Sequence, residues 1–188
     1  MTQPSLPSNV DAERATLGSV LLNRDALAAI ESWLKPEFFY VERHALIYEA
    51  MVQCFNNRVP PDTRTVAEEL RRRGQLDNVG GVLYLSELIE TVPTSYHIEY
   101  YARAIERTST LRRLINTGAQ IAALGYDEQR EIDDTIDKAE SLLFDIAQKR
   151  TTQDFVHISS VVDTYFEQLN YLQEHRGDCL LYTSDAAD

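Results

Sequence analysis

Apolar residues in this chain recur every three or four positions almost throughout, and nowhere do they alternate over the length of a strand. That period belongs to one-sided helices, so the expected fold is all-α and a sheet is unexpected. Punctuation divides the pattern into elements. Ser8-Asn9 offers an N-cap for a first helix carrying Val10, Leu17, Val20 and Leu21, with Asp11 and Glu13 in its first turn. A second helix is expected from Arg24 to Leu34, stopped at Lys35-Pro36. A third, Glu42 to Phe55, places Leu46, Ile47, Ala50, Met51 and Phe55 on one face. Val59-Pro60-Pro61-Asp62 forms a turn that caps Thr65 to Arg73, and Gly74 ends that helix. Gly80-Gly81 opens Val82 to Ile89, Thr91 to Thr94 breaks it, and another helix is expected from Ser95 to about Arg107.

The second half carries narrower stripes. Leu111, Leu114, Ile115, Gly118, Ile121 and Ala122 form one, and Ile132, Ile136, Ala139, Leu143 and Ile146 form another beyond a turn at Gly125 to Gln129. Two stripes separated by a short turn describe an antiparallel helical hairpin. Gly118, Ala119 and Ala122 are small enough to let its two backbones approach closely. Neither stripe is wide enough to close a core alone, so the hairpin needs a further surface, either the first half or a second copy. After the polar break Thr151 to Asp154, Ser159-Ser160 caps a last helix with Val162, Tyr165, Phe166, Leu169 and Leu172 on one side. That helix packs on its own domain or docks on a partner. The expected architecture is a compact bundle over 1–108, a hairpin over 109–150 and a linker with its helix over 151–178. Residues 179–188 form a separate tail.

Charge and motif searches remove several function classes. The formal net charge is −12, from 30 acidic and 18 basic residues, which opposes phosphate on average. Arg71 to Arg73 is the densest basic run, and its place at a helix end suits the helix dipole and solvent. All three lysines, Lys35, Lys138 and Lys149, lack a preceding glycine, so the Gly-Lys pair of a phosphate-binding loop is absent. His44, His97, His157 and His175 have no metal-ligand spacing with one another or with Cys54 and Cys179, and His44 beside Glu42 or Glu49 is ordinary helix composition. Cys54 reads as a small buried thiol. Asp133, Asp134 and Asp137 suit a helix start better than acid–base chemistry. No apolar run reaches the length of a membrane helix, and Met1 to Ser8 lacks the form of a signal peptide, so a cytoplasmic protein is expected with no membrane partner. No catalytic, cofactor-binding or metal-ligating residue is assigned.

The ordered succession of segments resembles the DnaB replicative helicase family. It begins at Asp11-Ala12-Glu13 and Leu17 to Leu21. It continues through Leu34 to Tyr40, His44, Ile47 to Met51, Pro61-Asp62 and Thr65 to Leu70. Gly74 to Gly81, Tyr84-Leu85 to Leu88, Val92 to Thr94, Tyr100 to Ala102, Arg112 to Ile115 and Ala139 to Ala147 follow in the same order. The sequence departs at Asp11, where the family more often has Glu, and at Ser95-Tyr96-His97, near which Asn is usual.

The resemblance implies an amino-terminal collar domain whose hairpins pair between subunits of a hexameric ring. Leu111, Leu114, Ile115, Gly118, Ile121, Ile132, Ile136, Leu143 and Ile146 would form the interface. It further implies a linker helix docking on a neighbouring motor through Val162, Tyr165, Phe166 and Leu169. Primase is the implied partner of the collar, with a helicase loader as a further one. ATP, magnesium and DNA would belong to a motor beyond these residues, in a protein that unwinds DNA at the replication fork. Residues 179–188, CLLYTSDAAD, carry no family pattern and resemble translated sequencing-adaptor DNA, so truncation before the motor is expected. The competing readings are a stand-alone helical adaptor, which a stop codon soon after residue 178 would identify, and a small enzyme, which would need a deep pocket of converging polar groups.

Overall fold

The computed structural model describes residues 5–92, 95–127 and 131–151. Nearly all lie in the first of two compact units, residues 1–147. Of the second, 148–188, only the end of one helix is described. Among the described residues every regular element is helical. The α-helices are α1 (Val10–Leu22), α2 (Glu42–Asn56), α3 (Thr63–Arg72), α4 (Gly81–Glu90), α5 (Ile98–Gly125) and α6 (Ile132–Thr151).

Helix α1 is the axis of the bundle. It lies against α4 and α5 and also meets α2, while α3 bridges α2 and α4. Leu17 and Val20 of α1, Ile47, Tyr48 and Met51 of α2, Val66 and Leu70 of α3, Leu85 and Leu88 of α4, and Ile105 of α5 are all buried. Each such side chain contributes about 1.5–3 kcal/mol on leaving water. Asn9 caps α1 by accepting the Ala12 N–H, and Asp62 caps α3 in a reciprocal box with Thr65. Gly74 and Gly80 take φ of +69° and +95°, the left-handed turns that end α3 and start α4. Cys54 is buried, as its apolar setting suggests.

Three local expectations change. Arg24 to Leu34 is a 3₁₀ helix over Arg24–Ala29 followed by turns, not one α-helix. The side chain of Asn23 starts it by accepting the Asp25 N–H. Leu27, Ile30 and Leu34 are nevertheless buried, because their spacing serves the tighter path equally well. Val10 faces solvent instead of joining its stripe. The helix expected to end near Arg107 continues to Gly125. Thr108 and Thr110 return their hydroxyls to the carbonyls of Ala104 and Glu106, so this polar stretch is absorbed into the helix.

The basic run Arg71 to Arg73 is paired within the protein. Arg71 meets Glu68, Arg72 meets Glu69, and Arg73 spans Glu69 and Glu49, tying α3 to α2. The hydrogen bonds from Arg72 and Arg73 hold the Glu69 carboxyl at about 2, against an ordinary value of 4.5. A depressed acid pKa stabilises the fold above the ordinary value, and that contribution disappears as pH falls from 4.5 through 2. We expect Glu69→Gln to flatten the loss of thermal stability over this window. An unchanged acid profile in a Tm-versus-pH titration would show that the clamp is idle.

Candidate assembly surface

Helix α5 rises from a core whose polar centre joins three helices. Glu13 of α1 is buried and accepts the Tyr40 N–H at 2.6 Å and the Val41 N–H at 3.3 Å. Its Oε2 lies 2.7 Å from Nδ1 of His44 on α2, and Nε2 of His44 lies 2.7 Å from the Tyr84 hydroxyl on α4. His44 thus links the Glu13 carboxylate to the Tyr84 hydroxyl through its two ring nitrogens. Burial raises the Tyr84 phenol above its ordinary range, so its hydroxyl keeps its proton. The partner of His44 is thus Glu13, not Glu42 or Glu49 of its own helix. Sequence reading treated Glu13 as a helix-start acid, since nothing local links it to position 44.

Arg112 fixes the point at which α5 leaves the core. Its guanidinium donates to the Pro7 carbonyl at 2.8 Å and the Phe38 carbonyl at 2.6 Å. It also sits 5.4 Å from the centre of the Tyr40 ring.

Beyond that anchor the two stripes separate into two kinds of position. On α5 Thr117 is buried and Ile121 and Leu124 are half-buried; on α6 Thr135, Ala139, Leu142 and Ile146 are half-buried. An adjacent ridge faces solvent. On α5 it comprises Leu111, Leu114, Ile115 and Gly118, and on α6 Ile132, Ile136 and Leu143, with Phe144 exposed to one side. Ile132 is 67% exposed and Phe144 63%. The expected stripes therefore mixed covered with open positions, and they missed Leu124, Leu142 and Phe144. A Cβ built on Gly118 meets nothing within 4 Å, so no backbone of the described residues closes on it as its size suggested. Val162, Tyr165, Phe166 and Leu169 lie outside the described residues.

Among the described residues no group of His, Cys, Asp and Glu could hold a metal ion, and no helix is long and apolar enough to cross a membrane. What the geometry offers is a packed helical base with apolar side chains left open on α5 and α6.

The profile of the family described as DnaB-like helicase N terminal domain matches residues 5–107, more than half the chain. The chain belongs to this family. It is 37% identical over 172 residues to the replicative DNA helicase DnaC of Bacillus subtilis, covering 92% of this chain and 38% of that protein. It is 38% identical to the replicative DNA helicase DnaB of Geobacillus stearothermophilus, with the same coverage. The chain thus spans well under half the length of these relatives. Among solved structures, the N-terminal domain of DnaB helicase from Mycobacterium tuberculosis matches with a TM-score of 0.71 and 36% identity, over 76% of this chain and 99% of that one. A DnaB-like replicative helicase, described with its interactions with primase, shares the fold at a TM-score of 0.62 and 24% identity, over 85% of this chain and 35% of that one. This DnaB-family domain therefore has the helical architecture read from its sequence.

Proposed function

We propose that this DnaB-family domain builds the collar of a hexameric replicative helicase in the bacterial cytoplasm, and that its hairpin ridge joins sister subunits. The observation that carries the reading is the open ridge of Leu111, Leu114, Ile115, Ile132, Ile136 and Leu143 on a strongly acidic chain. Apolar side chains left in water along both helices mark an interaction surface. The same collar docks primase, a reading supported by the related helicase whose structure is described with primase. A helicase loader is a further partner.

ATP binding, magnesium and the unwinding of duplex DNA are assigned to a motor outside these residues, because no Gly-Lys pair occurs in the 188. The helix bearing Val162, Tyr165, Phe166 and Leu169 is assigned to docking on a neighbouring motor.

Light scattering tests the ridge. The chain should associate with itself at high concentration, and Ile115→Glu with Ile136→Glu should return it to monomer, because each buries an unpaired charge at about 3–5 kcal/mol in the joined state. Both residues are exposed, so circular dichroism should be unchanged. A wild-type chain that stays strictly monomeric would remove the reading.

A further inference from the structure

Away from the hairpin, an open cleft of about 720 Å³ lies between the start of the 3₁₀ helix (Asn23, Asp25, Ala26, Ala29) and the entry to α5 (Tyr96 to Tyr100). Its aromatic groups are among the most exposed of the described large side chains: Tyr96 is 85% exposed and Tyr100 75%. Tyr96 stands edge-on to His97, and Tyr100 edge-on to Tyr101, with ring centres 5.1 and 5.9 Å apart. The lining carries two carboxylates, Asp25 and Glu99, and no lysine or arginine. Asp25 meets Arg24 only at 3.9 Å, with both side chains largely in solvent, an ion pair too loose to neutralise it.

We propose that this cleft receives a cationic side chain, arginine or lysine, from a basic segment of a protein partner. Tyrosine faces attract a guanidinium or ammonium through the ring quadrupole, and the two carboxylates supply the opposite charge. Tyrosines of this exposure would also gain the apolar contact that makes this residue type a frequent anchor of interfaces. A nucleic acid could stack on the same rings, but Asp25, Glu99 and a chain charge of −12 oppose its phosphates. The lining thus favours a cation over a polyanion. The inference does not depend on the hairpin ridge, which uses other residues.

The test uses the full chain, labelled with ¹⁵N, and an acetylated, amidated tetra-arginine peptide as probe. The peptide should shift the amides of residues 23–29 and 96–101, and Tyr100→Ala should weaken it roughly tenfold without changing any charge. Glu99→Gln should weaken it several-fold, while Asp133→Asn, on the exposed start of α6, should leave it unchanged. The control matters because general attraction to an acidic chain would survive Tyr100→Ala. Four results would overturn the proposal: equal affinity for Tyr100→Ala, shifts confined to α6, the same shifts with oligothymidine, or a fall in self-association on Tyr100→Ala with no peptide bound.

Discussion

Gly18→Ala is expected to lower the unfolding free energy by about 3 kcal/mol, although alanine is the better helix former by about 1 kcal/mol. Gly18 lies in α1 where α4 crosses it. A Cβ at this position would land on the Leu88 carbonyl oxygen and within 2.7 Å of Val92 Cγ2. The valine methyl has some freedom to turn aside, but a carbonyl bound into a helix end has little. The two helices must separate, and the buried Leu17, Leu85 and Leu88 lose contacts with them. Gly118→Ala provides the matched control, because that glycine is also within a helix but has open space at its Cβ. It should be neutral or stabilising by up to about 1 kcal/mol. The urea midpoint should fall for Gly18→Ala and hold or rise for Gly118→Ala, and a Gly18→Ala midpoint that does not fall would mean that the α1–α4 crossing is not tight.

Breaking the buried polar chain should cost at least as much. Glu13→Ala strips acceptors from the Tyr40 N–H, the Val41 N–H and the His44 ring within a closed core and leaves them unsatisfied, an expected loss of about 3–5 kcal/mol. Tyr84→Phe removes only the terminal hydroxyl and leaves one ring nitrogen unpaired, for about 1–2 kcal/mol. A double-mutant cycle between Glu13 and His44 should return a coupling of up to about 3 kcal/mol. If Glu13→Ala proved no costlier than a substitution of exposed Glu42, the chain would not be what orients α1, α2 and α4. Its place matters beyond stability: the same turn that donates to Glu13 through Tyr40 gives Arg112 its Phe38 carbonyl, so the core and the hairpin's anchor share one backbone segment.

Much of the fold was legible because helices announce themselves locally. Asn9 and Asp62 are caps in both sequence and structure, Gly74 and Gly80 take the left-handed turns their positions call for, and Ile47, Ala50 and Met51 are buried as their spacing requires. The same reasoning over-read Arg24 to Leu34, since a 3₁₀ path buries residues at nearly the same intervals. It also placed a helix end near Arg107 that the hydroxyls of Thr108 and Thr110 do not make.

The sequence by itself determined the all-helical class, the order of its elements, the apolar stripes of the hairpin and the absence of a phosphate-gripping Gly-Lys pair. Each of these depends on residues within a turn or two of one another. Tertiary structure alone decided that Glu13 belongs to His44, 31 positions away, and His44 to Tyr84, 40 away. It alone decided that Gly18 is a crossing point, and which members of each stripe stay in water. Periodicity reports the side of a helix on which a residue falls. What stands opposite that side depends on how separate helices cross, and no local spacing encodes it.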